Sequence, residues 1–346
     1  MQGTGLEVVP LAKVGRAAWN AFVEGHDAGT FFHLAEWQQL IEEVHGHATK
    51  FLAATRSGVI EGVLPLAEVR SRLFGHALVS LPFCVYGGTL ARTEEARAAL
   101  EAHAVALAHQ RGVDYLELRF REGARDDWPG KDLYVTFRKR IDDDPDVNMK
   151  AIPRKQRAMV RKGIEAGLLA ERDCDIERFF PIYAASVRDH GTPVFARRHF
   201  ARLLELFGDR VSVMTVTDAA GGPLASVLSF HFRDEVLPYY GGGLPAARAS
   251  KAFDFMYWSV MCRAAEAGAR IFDYGRSKQG TGSFSFKRNW GFEPVPLPYR
   301  YHLVHASSVP DVNPLNPKYR LFIAAWQKLP LPVANFIGPW LARSLG

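Results

Sequence analysis

The stretch FDYGRSKQGTGSFSFKRNWGF, Phe272 to Phe292, leads from an apolar strand signal through Gly, Ser and Thr to Phe286, Lys287 and Arg288. Hydroxyls, glycines and cations directly after a strand stand where α/β proteins place ligand and catalytic groups. Glycines punctuate the stretch at Gly275, Gly280 and Gly282. Asp273 is the acid of the stretch. Strand alternation points it away from the face of Phe272 and Tyr274. It reads either as a general base or as an ion-pair partner that fixes Lys287 or Arg276. Ser277 adds a hydroxyl beside them. On residue types alone the bland alternative is equally good: Lys287 and Arg288 as solvated charges, with Phe284, Phe286 and Trp290 in the core.

Three further groups carry polar tools. LPYYGGGL (Leu237 to Leu244) ends a strand on Tyr240, Gly241, Gly242 and Gly243, either a plain turn or a place for a ligand to lie against backbone. VRDHGTPVF (Val187 to Phe195) holds His190, whose ordinary pKa suits proton transfer near neutral pH, and Arg188, suited to a carboxylate or phosphate. A helix predicted to open at Pro153 carries Arg154, Arg157 and Arg161 on one stripe, with Met159, Val160 and Ile164 on an apolar face. That stripe is either a phosphate-holding surface or a solvated helix face.

The elements that position these groups occur twice. LPFCVYGGTL (Leu81 to Leu90) resembles LPYYGGGL, which places Tyr86-Gly87-Gly88 on Tyr240-Gly241-Gly242. RGVDYLELR (Arg111 to Arg119) matches AGARIFDYGR (Ala267 to Arg276), which places Glu117 on Asp273. VIEGVLPL matches PLASVLSF, and FFHLAEWQQLIEEVHG echoes VFARRHFARLLELFGD, all in the same order. Each unit reads as a helix, two hairpin strands, a third strand ending in glycines, a helix and a further strand. The turn DAAGG at Asp218 to Gly222 joins one hairpin. The helix from about Phe253 to Ala267 is apolar nearly all round and is expected to be deeply buried. The acidic cluster Asp142 to Asp146, with Pro145, is expected to end the first unit. Domains are therefore expected at 1–144 and 145–306, with a helical tail at 307–346.

The chain has 346 residues, 48% hydrophobic and 23% charged, the composition of a globular protein of one large or two ordinary domains. No apolar run reaches membrane-span length, and no signal peptide is evident at the start. Cys84, Cys174 and Cys262 are too few and too scattered for a disulfide framework, which fits a cytoplasmic protein. No metal-ligand spacing is present around His33, His45 and His47. A net charge of +6 permits anionic ligands without choosing among phosphates, tRNA and a lipid surface. The tail NPKYRLFIAAWQKLPLPVANFIGPWLARSLG reads either as packed on the second domain or as lying on the inner membrane surface through Trp326, Trp340, Lys328 and Arg343.

A duplicated mixed α/β unit with a YYGGG strand end, a buried helix and the FDYGRS…GTGSFSFKRNWGF closing segment resembles the FemAB family, most closely its members associated with exosortase/PEP-CTERM exopolysaccharide systems. The likeness is strongest from about Met149 to Tyr301. It implies two tandem GNAT-like domains, each a mixed central sheet flanked by helices. It also implies an enzyme that transfers acyl groups to amines, the well-known members moving amino acids from aminoacyl-tRNA to peptidoglycan precursors. On that resemblance Phe286-Lys287 is the Phe-Lys pair lining the donor and acceptor site, and its Lys steadies the oxyanion. One such donor is worth about 10²–10³ in rate. Where acyl-CoA enzymes of the GNAT type carry a Gly-rich phosphate loop, this chain reads RASKAF, so Arg248 and Lys251 would have to hold phosphate by charge. No charged insertion resembles a tRNA arm. The donor is thus either aminoacyl-tRNA or acyl-CoA, with no tightly bound cofactor, and the acceptor a small or a lipid- or glycan-linked amine. Two rivals remain: a non-catalytic scaffold for glycan or lipid intermediates, and an RNA-binding module. The second is disfavoured because no aromatic residues interleave the basic helix.

Overall fold

The computed structural model describes residues 5–71, 75–123, 127–131, 133–309 and 317–344. The first half of the chain forms β1 (Leu6–Pro10), β2 (Ala48–Arg56), β3 (Val59–Ser71), β4 (Gly75–Ser80), β5 (Leu90–Ala91), β6 (Tyr115–Arg119), β7 (Gly130–Lys131) and β8 (Tyr134–Arg140). The second forms β9 (Leu169–Asp173), β10 (Val211–Thr217), β11 (Pro223–Phe232), β12 (Glu235–Gly243), β13 (Ile271–Asp273), β14 (Ser277–Lys278), β15 (Pro294–Pro296) and β16 (Tyr299–Leu303). The helices used below are α1 (Glu94–Arg111), α2 (Arg154–Glu165), α3 (Phe179–Asp189), α4 (Arg197–Phe207), α5 (Ala252–Glu266), α6 (Gly282–Asn289), α7 (Pro317–Gln327) and α8 (Leu331–Ala342).

Two mixed sheets result, in the orders β1-β2-β3-β4-β6-β16-β7, with β5 on β3, and β14-β8-β13-β12-β11-β10-β9, with β15 on β8. The last strand of each half sits in the other half's sheet. β8 pairs antiparallel with β13, β14 and β15, and β16 pairs antiparallel with β6 and β7. The compact units are accordingly Met1–Leu133 with Leu297–Val312 and Trp340–Gly346, and Tyr134–Pro296 with Asn313–Pro339. The chain thus divides at 133/134 rather than at the expected 144/145, and the tail is shared rather than separate. The acidic cluster belongs to the second unit. Asp144 caps a short helix, Pro145–Ala151, by accepting from the Asp146 N–H at 2.8 Å.

Local chemistry accounts for these elements. Ser57 and Gly58 both take positive φ, 50° and 81°, the mirror-image turn that suits the twist of the β2–β3 hairpin. Asp218 closes the β10–β11 turn by accepting from the N–H groups of Ala220 and Gly222 at 3.0 and 2.8 Å. Thr93 caps α1 by accepting from Ala96 N–H at 3.2 Å, and Gly112 ends it in the left-handed region at φ 60°. The α1 residues Ala96, Leu100, Ala104 and Ala108 bury against Leu52, Leu64, Leu66 and Leu116 to form the first core. In the second, Met256, Trp258, Val260 and Met261 of α5 are buried as expected.

The repeat extends to the registers. In the second unit β12 pairs in parallel with β13 at Glu235↔Ile271 and Val236↔Phe272. In the first, β4 pairs with β6 from Ala77↔Tyr115 to Ser80↔Leu118. Glu117 and Asp273 therefore hold matching positions, as the sequence repeat implies. The glycines do not: Tyr240 to Gly243 lie within β12, whereas Tyr86 to Gly88 follow β4 in irregular chain. That extra chain folds back on β6. Gly87 and Gly88 donate to the Arg119 carbonyl at 3.0 and 2.8 Å, and the Arg119 guanidinium donates to the carbonyls of Leu81 and Cys84. In the second unit the parallel ladder stops at Val236↔Phe272, while β12 runs on along β11 to Gly243. β13 itself ends one residue later, at Asp273.

Candidate active site

The stretch that opened the sequence reading is not a loop. It runs as β13, a turn, the two-residue β14 and the helix α6, which Thr281 caps by accepting from Phe284 N–H at 3.3 Å. Lys287 sits on the inner side of α6, 8% exposed. Its ammonium donates to the carbonyls of Tyr274, Gly275 and Arg276 at 2.6, 3.0 and 3.1 Å and lies 5.6 Å from the centroid of Phe137. Lys287 is therefore not a solvated charge: the helix turns it inward. Burial brings its pKa down from 10.5 to about 7, against the pull of Asp273 and with a further push from Arg276.

Asp273 is fully buried and engaged. It accepts from Thr136 Oγ1 at 3.2 Å and from Gly275 N–H at 2.7 Å, and its Oδ2 lies 3.3 Å from Arg138 Nε. Arg138 also pairs with buried Glu235. Asp273 thus pairs directly with Arg138 of β8. Arg276 is exposed and stacks over the Tyr134 ring at 4.5 Å, and Ser277 Oγ shares a hydrogen bond with Ser283 at 2.9 Å. Phe286 packs against Tyr257 and Trp290, centroids 5.6 and 6.2 Å apart. Lys287, Asp273, Arg276, Ser277 and Phe286 therefore gather around the turn that follows β13.

The glycine edge of β12 faces two ways. Tyr240 and Gly242 point toward α3 and α4. The Tyr240 hydroxyl meets His199 Nε2 at 3.2 Å, its ring packs on Tyr183 and Phe200, and a Cβ on Gly242 would lie 2.8 Å from Tyr183 Cα. Gly241 points toward α5, where a Cβ would lie 3.1 Å from the Tyr257 hydroxyl. Between Pro238 and Tyr240 the ladder with β11 skips Tyr239, the mark of a bulge.

The remaining candidates lie elsewhere. His190 ends α3, exposed, with Nδ1 2.6 Å from its own helix's Ser186 carbonyl. Arg188 binds Asp189 at 2.7 Å and the Leu329 carbonyl at 2.9 Å, which ties α3 to the C-terminal helices. Arg248 is exposed, and Lys251 donates back to the Arg248 carbonyl at 3.1 Å from a left-handed position before α5. On α2, Arg154 and Arg161 are exposed, but Arg157 turns back to the carbonyls of Ile152 and Lys150 at 3.0 and 2.9 Å. The stripe thus presents two free arginines, not three. Of the expected apolar face only Val160 is buried, and Ile164 is 46% exposed.

Sequence reasoning missed Arg138, Asp254, Tyr257 and Tyr274. Asp254 is buried on α5, accepts from Gln156, and burial holds its carboxyl above the usual range. A lone acid inside AFDFMYWSV was the available signal. The buried Tyr274 hydroxyl has no hydrogen-bond partner among the described residues, and its ring stands 5.0 Å from that of Tyr257.

Residues 148–288 match the acetyltransferase (GNAT) domain family, which gives the second unit a GNAT-type domain and supports an acyltransferase. Among solved structures, FemX superposes with a TM-score of 0.67 at 15% identity, over 92% of this chain and 100% of that one. A tandem GNAT protein from the clavulanic acid biosynthesis pathway gives 0.54 at 14%, over 89% and 100%. The C-terminal domain of a proposed lysylphosphatidylglycerol synthetase from Agrobacterium fabrum gives 0.57 at 13%, over 84% and 91%. These likenesses fix the fold as two GNAT-like lobes. A comparison with curated proteins finds no match.

Proposed function

We propose that the second unit transfers an acyl or aminoacyl group to an amine on a cell-envelope or exopolysaccharide-linked precursor. One observation carries the reading: the β12–β13 ladder ends after two pairs, at Val236↔Phe272, while β12 runs on to Gly243 and the chain after β13 turns through the carbonyls that Lys287 holds. The donor lies along Gly241 to Gly243. The acceptor nitrogen attacks its carbonyl carbon, a C–N bond forms, and the thioester C–S or ester C–O bond breaks, releasing the CoA thiol or the tRNA ribose hydroxyl. Lys287 fixes the carbonyls of residues 274–276 and supplies positive charge where the oxyanion develops. Direct donation by Lys287 exchanges one carbonyl bond for the oxyanion. The donor, aminoacyl-tRNA or acyl-CoA, and the acceptor class both rest on the sequence resemblance.

The scaffold alternative draws support from a single fact, that all three Lys287 donors are already engaged. The deciding experiment supplies radiolabelled acetyl-CoA or aminoacyl-tRNA with amino-sugar and lipid-linked amine acceptors. Amide formation that Lys287→Met lowers by about 10²–10³ is expected. Failure to bind either donor at low salt leaves the scaffold.

A further inference from the structure

The last helix, α8, is LPVANFIGPWLA, with no charged side chain. Its inner side is packed. Ala334 is 1% exposed, and a Cβ on Gly338 would lie 3.0 Å from the backbone of Val194. Its outer side is a second apolar stripe: Val333, Phe336, Ile337 and Trp340, at i, i+3, i+4 and i+7, are 39%, 77%, 38% and 64% exposed. On α7 the same division holds, with Trp326 buried and Leu321 and Phe322 82% and 42% exposed. Arg188 and Gln327 clamp the pair of helices to α3 through the carbonyls of Leu329 and Asp189 at 2.9 and 3.0 Å. Packing on the second unit thus explains one face and leaves the other apolar and open. A helix apolar all round ordinarily has something on every side.

Charge selects the occupant. From Pro317 to Gly346 the chain has Lys318, Arg320, Lys328 and Arg343 and no acidic residue. Arg343 stands 4.9 Å over the Trp340 ring. A second copy docked by a two-fold axis would set this cationic surface against itself. An anionic bilayer meets both properties, the apolar stripe and the cations at its rim. Among the described residues no helix is long and apolar enough to cross a membrane, so the two helices lie in the interface plane.

We infer that the outer face of α7 and α8 is a docking surface for an anionic lipid bilayer. Leu321, Phe336 and Trp340 enter the headgroup–acyl boundary, and the flanking cations meet lipid phosphates. The inference stands on exposure and charge alone: an inactive protein that binds vesicles keeps it, and an active one that ignores them loses it.

The test is cosedimentation of the full chain with phosphatidylcholine vesicles, with and without phosphatidylglycerol. Binding to the anionic vesicles is expected to exceed binding to the neutral ones. The double change Phe336→Ser, Trp340→Ser is expected to weaken it about tenfold or more. Both side chains face outward, so unfolding temperature should be unchanged. Lipids brominated near the headgroup should quench tryptophan emission in the wild type and less in Trp340→Phe. Equal sedimentation with and without vesicles overturns the inference. So does a lipid-free dimer, seen by equilibrium ultracentrifugation, that the double change dissociates.

Discussion

A buried ammonium with three carbonyl acceptors is pulled in two directions. Burial disfavours its charge, while only the protonated form can satisfy the carbonyls of Tyr274, Gly275 and Arg276 together. With the folded pKa brought down from 10.5 to about 7, the unfolded chain holds a proton that the folded one lacks across that window. Wild-type stability, measured against Lys287→Met, should therefore be flat below about pH 7 and rise with pH toward 10.5. Urea denaturation of both proteins at a series of pH values checks it. A flat difference throughout would mean that the carbonyl cage holds the ammonium at its ordinary pKa. Asp273 makes the opposite case. It lies buried between Thr136, Gly275 and Arg138, so Asp273→Asn strands Arg138 beside Glu235 with one carboxylate fewer. A loss of about 3–5 kcal/mol is expected, with activity falling alongside stability. A variant as stable as wild type but inactive would make Asp273 catalytic instead.

Along β12, alternation assigns neighbouring glycines different work. Gly242→Ala drives a methyl to within 2.8 Å of Tyr183 Cα, a backbone atom that cannot step aside, and should cost about 1–3 kcal/mol. Gly241→Ala meets side chains alone, the Tyr257 hydroxyl at 3.1 Å and Met256 and Val227 at 3.7 Å, and should leave the unfolding temperature near wild type. It should raise KM for the acyl donor, because the methyl stands on the strand end along which the donor is proposed to lie. Equal effects of the two changes on stability and KM would remove the assignment. The strands, the DAAGG turn, the buried α5 and the Glu117–Asp273 match were legible because each rests on local periodicity or turn chemistry. The offset of the first-half glycines was not, since a fold-back between β4 and β5 leaves the motif intact and moves only its place. Nor was the inward turn of Lys287, which depends on α6 and on carbonyls presented by the preceding turn. Arg157 failed for a related reason, its guanidinium finding carbonyls at its own helix start. Composition read the stripe correctly as basic, and only the tertiary path of each side chain separates a free arginine from an occupied one.

For the chain as a whole, the decisive feature is the crossing of β8 and β16 into the sheets of the opposite halves. Sequence self-comparison finds two units but has no term for a final strand that pairs away from its own unit. The consequence is physical. A fragment 1–144 keeps β8 without β13, β14 and β15, its only sheet partners among the described residues, and exposes the edge of β6 that β16 covers. A fragment 145–346 has the converse defects: β13 loses its β8 neighbour, and Asp273 loses both Arg138 and Thr136. Uncovered edges of this kind favour aggregation. Each fragment expressed alone is therefore expected to be insoluble or to lack a cooperative unfolding transition, and the two expressed together to assemble with a wild-type-like transition. Moving the cut to 133/134 should not rescue the first fragment, because Tyr299 to Leu303 would still be missing from beside β6. A soluble 1–144 fragment with cooperative unfolding of its own would show that the first sheet closes without β16, and that the exchange of strands is dispensable for the fold.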